Sequence, residues 1–162
     1  MRIRLITPLL LSLALPASAG QAAAPATSPA ATFKEECSAC HIPYPPRLLP
    51  ADSWRALMAG LPSHFGVNAS LDAPTATVIE RFLTANASMR PVRSSSREAQ
   101  AGAGPVLRIT ETSWFLKEHR EMPARRWTSP EVKSKANCSA CHVGAERGSF
   151  EDGQSGSGGG RR

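Results

Sequence analysis

The sequence predicts a mainly α protein with little or no β-sheet, divided into two small lobes. Three observations carry this expectation. Apolar residues recur at helical spacing at Trp54, Leu57, Met58 and Leu61 and again at Val78, Ile79, Phe82 and Leu83, and no stretch shows the alternation of a half-buried strand. A polar stretch containing Ser94-Ser95-Ser96 and Gly102-Ala103-Gly104-Pro105 interrupts the chain near its middle, as a connection between two units would. On each side of it stands the same pentapeptide, Cys-Ser-Ala-Cys-His, at residues 37–41 and 138–142, and together the two copies use all four cysteines.

Met1 to Ala19 has the layout of a secretory signal, with Arg2 and Arg4 as a charged start, an apolar run from Leu9 to Leu15, and Ala17-Ser18-Ala19 as a cleavage site. The run is too short to span a bilayer, and no later stretch approaches the ~18 to 20 apolar residues a span needs. Residues 20–32 are Ala, Pro, Ser and Thr with little to bury and read as a mobile leader. Residues 33–87 form the expected N-terminal lobe. There Phe33 to Glu36 makes a short helix into the first pentapeptide, and Pro43, Pro45 and Pro46 stop it soon afterwards. Asp52 to Leu61 reads as an amphipathic helix with Asp52 as N-cap, ended by Gly60 and Pro62, with His64-Phe65-Gly66 in the loop beyond. A further helix spans Asp72 to Asn86, with Pro74 in its first turn.

Residues 88–107 are the linker and 108–150 the C-terminal lobe. Ile109 to Arg120 reads as one helix placing Phe115 and His119 on a shared face. Thr128 and Glu131 have capping-box spacing around Pro130, which predicts a helix delivering the second pentapeptide. The Gly/Ser-rich tail, 151–162, has the composition of a flexible chain.

Cys-x-x-Cys-His is the signature of covalent haem attachment, in which two thiols add to two vinyl groups and the adjacent histidine reaches the iron. Cys37, Cys40 and His41 would hold one haem c, and Cys138, Cys141 and His142 a second. The chain has four histidines in all. Once the motifs take His41 and His142, His64 and His119 remain for the two other axial positions, so the count predicts bis-histidine ligation at both irons. In each half 22 residues lie between motif histidine and free histidine, but the order is mirrored, motif first in one half and last in the other. Met58, Met89 and Met122 are competing axial thioethers, and a methionine would raise the potential. Same-lobe pairing of the histidines needs only local loops, whereas crossed pairing would knit the lobes together. A zinc tetrathiolate does not require a histidine after each cysteine pair, and a thioredoxin-like dithiol needs a βαβ context that is missing here.

The net charge of +6 falls to +4 when Arg2 and Arg4 leave with the signal. Two haems would bring about four negative propionates and return about two positive charges as ferric cores, so the apparent basicity overstates that of the loaded protein. No interleaving of aromatic and basic residues points to nucleic acid. Aromatics make up 6% of the chain, which suits a protein whose cofactors fill much of its interior.

The two pentapeptides, the stretch from Trp54 to His64-Phe65-Gly66, the run Ile109-Thr110-Glu111-Thr112-Ser113-Trp114-Phe115 through His119, and Asn137 to His142 followed by Gly148 and Phe150 resemble the dihaem cytochrome c family of periplasmic electron carriers, over Phe33 to Phe150. The resemblance implies two bis-histidine haems of low potential, a small oxygen-binding monohaem cytochrome (sphaeroides haem protein) as electron acceptor, and a membrane cytochrome b as donor. The expected function is electron transfer rather than catalysis. Competing readings are a dihaem peroxidase or ligand sensor in which one distal histidine dissociates, and a haem subunit of a larger periplasmic reductase. Arg90, Arg93, Arg97, Arg125 and Arg126 are candidates to dock an acidic partner.

Overall fold

The computed structural model describes residues 27–90 and 104–150. The signal segment, most of the leader, most of the linker and the tail from 151 lie outside the described residues. Within them the protein is α-helical, with isolated bridges and no named strand.

Helix α1 runs from Pro29 to Cys37. Ser28 caps it by accepting a hydrogen bond from the Ala31 amide at 3.2 Å, and Pro29 occupies the first helical position, where its missing N–H costs nothing. Pro29–Thr32, expected as the end of the leader, is therefore helical. At the other end α1 stops at Cys37 with Ser38 as C-cap, so only the first cysteine of the pentapeptide is on the helix. Helix α2, Ala51–Ala59, begins after Pro50 rather than at Asp52. Pro50 is extended and its carbonyl already accepts from the Trp54 amide at 3.2 Å. Asp52 instead sits inside the first turn, where the helix dipole favours a carboxylate, and pairs with Arg55 at 2.6 Å.

Helix α3, Ala73–Ala85, matches expectation closely: Asp72 accepts from the Thr75 amide at 3.0 Å and Pro74 lies in the first turn. Ile79 and Leu83 are buried, whereas Val78, expected in the same stripe, is exposed. One residue rotates a helix by about 100°, enough to turn Val78 off the face that Ile79 presents. Phe33 of α1, Leu49, Trp54 of α2, Ile79 and Leu83 form the core. Leu49, Ile79 and Leu83 are almost wholly buried, each stabilising the fold by about 1.5–3 kcal/mol relative to exposure. The Trp54 indole donates to the Pro46 carbonyl at 2.7 Å, and the Ser88 amide donates to Leu49 at 2.9 Å, closing the end of α3 onto the start of α2.

The second half departs further from expectation. The helix predicted over Ile109 to Arg120 is split into a 3-10 turn, Ile109–Glu111, and α4, Ser113–Glu118. Thr112 is the cause. Its backbone is extended, its hydroxyl donates to the Ile109 carbonyl at 2.7 Å and accepts from the Phe115 amide at 3.2 Å, and it is fully buried. A threonine that captures backbone partners in this way ends one element and begins the next. The helix predicted to deliver the second pentapeptide does not form. Helix α5, Ala124–Trp127, follows Pro123 and ends where that helix was expected to start, with Thr128 as its C-cap. Lys133, at φ 65, is left-handed, which no continuing α-helix accommodates. The chain enters the second pentapeptide through turns, and Cys138–Ala140 is itself a 3-10 turn. Phe115, Val132 and Ala145 are the buried hydrophobics of this half.

Contacts join the halves. Ile109 packs against the first core, Arg47 donates to the Gly148 carbonyl, and the Tyr44 hydroxyl donates to the Ala136 carbonyl at 2.7 Å. Gly148 has φ 77, and a Cβ there would meet Pro45 at 3.2 Å, so both backbone and space call for glycine.

Candidate functional site

No disulfide joins the four cysteines, of which Cys37 and Cys138 are half-buried and Cys40 and Cys141 exposed. Burial first, then the neighbouring Glu36, pushes the Cys37 thiol up to about 11, and burial also raises Cys138. Both stay protonated at neutral pH, and a thiol adding its S–H across a vinyl C=C needs no oxidant.

In the first half the turn after α1 leads Cys40 into His41. The His41 Nδ1 lies 2.6 Å from the Ile42 carbonyl oxygen. A carbonyl only accepts, so Nδ1 carries the proton and the Nε2 lone pair is free for a metal. Tyr44 stacks on the His41 ring at 4.8 Å and 28°. His64 follows the 3-10 turn Leu61–Ser63 and opens a tight turn closed by the Val67 amide donating to the His64 carbonyl at 3.1 Å. Phe65 and Gly66, at φ 49 and 99, occupy its centre. Positive φ at both central positions marks a primed turn, and a phenylalanine there is strained. The Arg108 guanidinium lies 4.0 Å from the centre of the Phe65 ring, over its face. His64 and His41 have their ring centres 6.3 Å apart at 31°. Burial, then His41 and Arg108, holds His64 below the usual histidine range, which keeps it neutral and able to ligate.

In the second half His119 is the C-cap of α4. Its Nδ1 donates to the Phe115 carbonyl at 2.8 Å and its ring lies on Phe115 at 4.1 Å and 25°, with Trp127 5.6 Å away. His142 is fixed by its amide donating to Cys138 at 2.9 Å and by Phe150 at 5.6 Å. Its Nδ1 is buried without a partner among the described residues. His119 and His142 stand 6.1 Å apart with perpendicular rings.

The fold thus brings the histidines together as same-half pairs. An iron between two imidazoles needs about 2 Å to each nitrogen and about 1 Å more to each ring centre, so about 6 Å between centres. Both pairs have that separation, and both stand beside a Cys-x-x-Cys, so the residues present fit two haem c groups. Two of the competing methionines are placed otherwise: Met58 packs against the first core and Met89 is almost wholly exposed. Among the described residues no three His, Cys, Asp or Glu converge on one point, so the cysteines do not gather into a zinc tetrathiolate.

Three contacts around the pairs were not foreseen from the sequence. Tyr44, the single tyrosine, lies three residues after His41, a spacing that could have drawn attention to it. Neither Arg108 over Phe65 nor Arg47 on Gly148 has a local signal, because each joins residues far apart in the chain.

The sequence model of the dihaem cytochrome c family matches residues 33–150. The chain is 45% identical to DHC purified from Rhodobacter sphaeroides, covering 72% of this chain and 93% of that one, with a TM-score of 0.59. It is 38% identical to the dihaem cytochrome c of Shewanella baltica, covering 77% and 89%, with a TM-score of 0.63. No curated protein gives a significant match. With two complete attachment motifs, two histidine pairs at iron-spanning distance and a family match over most of its length, the chain belongs to the dihaem cytochrome c family and carries two covalently bound haem c groups.

Proposed function

We propose that the protein is a periplasmic electron carrier in which His41 with His64, and His119 with His142, hold the two irons at low potential. The observation that carries this reading is the equal spacing of the two pairs, 6.3 and 6.1 Å. When bound, each haem supplies a one-electron ferric/ferrous couple. The chain's part is to attach it through Cys37 and Cys40 or Cys138 and Cys141, to present Nε2 of a neutral imidazole to each face, and to fix the ring planes. The Nδ1 donations of His41 to Ile42 and of His119 to Phe115 serve that last purpose and make the opposite nitrogens more basic. Imidazole on both faces favours the ferric state more than a thioether does, and it leaves no open position for oxygen or peroxide.

The periplasmic location is supported by the signal layout of Met1 to Ala19; among the described residues no helix is long and apolar enough to cross a membrane. Residues 33–87 and 108–150 are read as the two haem lobes. The partners proposed are redox proteins, a membrane cytochrome b upstream and a small monohaem cytochrome downstream, with no nucleic acid.

The test is an oxidised and a reduced spectrum of the periplasmically matured protein, repeated on His64→Met and His119→Met. Low-spin bis-imidazole spectra are expected in the parent, and each substitution raises the potential of one haem. A high-spin component, or CO binding to the reduced parent, sinks the bis-histidine reading in favour of a ligand-binding or peroxidase-type centre.

A further inference from the structure

Tyr44 connects the two haem sites. Its ring lies on His41 at 4.8 Å, inclined by 28°. Its hydroxyl, at the other end of the same rigid side chain, donates to the Ala136 carbonyl at 2.7 Å. That carbonyl oxygen also accepts from the Cys138 amide at 3.0 Å and faces the Cys138 sulfur at 3.6 Å. A line therefore runs from the imidazole of the first attachment motif, across the stack to one aromatic ring, and through two hydrogen bonds on one carbonyl to the first cysteine of the second motif. The contact between the amide and the carbonyl does not depend on the thiol hydrogen, so it is compatible with a thioether at Cys138. The other contacts between the halves run elsewhere. Arg47 ends on Gly148, and Arg108 ends on Phe65.

We propose that Tyr44 is the positioning and conducting link between the two haems, carrying the electron that passes from one iron to the other. The inference rests on the bis-histidine reading above, because it takes His41 as an iron ligand. One electron moves: the donor iron goes from ferrous to ferric, the acceptor iron from ferric to ferrous, and no bond or proton is transferred. Tyr44 is a bridge and is not itself oxidised. A path of bonds, two hydrogen bonds and one ring contact couples two redox centres better than an open gap of the same length, and the aromatic stack fixes its geometry.

The experiment uses the full-length, periplasmically matured dihaem protein and two variants. Tyr44→Phe keeps the ring on His41 and removes the hydroxyl. Tyr44→Leu removes both. Electron exchange between the haems is read from the broadening of haem methyl resonances in half-reduced protein, alongside both reduction potentials and the thermal transition. Exchange is expected to slow several-fold in Tyr44→Phe at unchanged potentials, and further in Tyr44→Leu. Parental exchange in Tyr44→Phe overturns the proposal, even where the thermal transition falls, because Tyr44 is then structural only. So does a slowing accounted for by potentials that have moved apart. A parent spectrum that is not bis-imidazole removes the ligand reading and this inference with it, whereas a bis-imidazole parent with unaltered variant exchange removes this inference alone.

Discussion

Each histidine of the two pairs lies against an aromatic neighbour. Phe115 is buried, and its flat face supports His119 at 4.1 Å while its carbonyl fixes the imidazole's tautomer. Phe115→Leu keeps most of the volume and the carbonyl but loses the stack. It should destabilise the holoprotein by about 1 kcal/mol, read as a shifted denaturant midpoint, with the second haem still six-coordinate; an unmoved midpoint would mean the stack contributes nothing. Four histidines and two motifs admit a simple count in the sequence, and the fold brings the four together in two pairs. Their meeting in same-half pairs was left open, since spacing along the chain is also compatible with crossed pairing. Tyr44 and Arg108 were invisible to that count because their contacts span 92 residues in one case and join opposite halves in the other.

At the level of elements, helices with ordinary caps were easy to read and those broken by a side chain were not. Helix α3 has an Asp cap, an early proline and a buried stripe, all local signals. Its cap also carries a pH dependence. Hydrogen bonds from Thr75, backbone first, hold Asp72 below the usual carboxylate range. A depressed carboxylate contributes stability above its ordinary pKa and loses it as pH falls through the lower folded value. Helicity monitored by circular dichroism should therefore show an acid-induced loss in the parent that is shallower in Asp72→Asn, which still offers an oxygen to Thr75. Equal acid limbs in the two proteins would remove Asp72 from the account. The helices mispredicted in the second half have a different origin. Thr112 and Lys133 are unremarkable in a propensity sum, yet one diverts two hydrogen bonds and the other adopts a left-handed backbone. In Thr112 the override is a local capture of backbone partners that propensity does not register.

For the molecule as a whole, the two halves are unequal in what their own side chains supply. The first has Phe33, Leu49, Trp54, Ile79 and Leu83 buried together, whereas the buried hydrophobics of the second are Phe115, Val132 and Ala145. A segment with so little apolar surface to bury does not offset its conformational entropy unaided. The mainly helical class was evident from periodicity, but this imbalance was not, because a covalently bound haem is written in the sequence only as a short attachment motif. Loss of one attachment thiol tests the point. Cys138→Ala should lower the thermal transition and collapse the chemical-shift dispersion of residues 108–150 while leaving signals from α1 to α3 in place. A transition at the parental temperature would show that the polypeptide holds this half without help.

With the proposed bis-histidine ligation, the unequal orientation of the two ring pairs, 31° in one and 90° in the other, would make the two centres magnetically distinct. Nearly aligned imidazole planes act on the same iron d orbital and separate it from its partner. Perpendicular planes act on one each and leave the two almost degenerate. In frozen ferric protein the His41–His64 centre is expected to give a rhombic paramagnetic resonance spectrum and the His119–His142 centre a strongly axial one with a single large g value. Two overlapping rhombic signals would show that the planes realign around the irons. Where the expected pair of signals is found, each haem has its own spectroscopic label, and the order in which the two take up electrons can be followed in one sample.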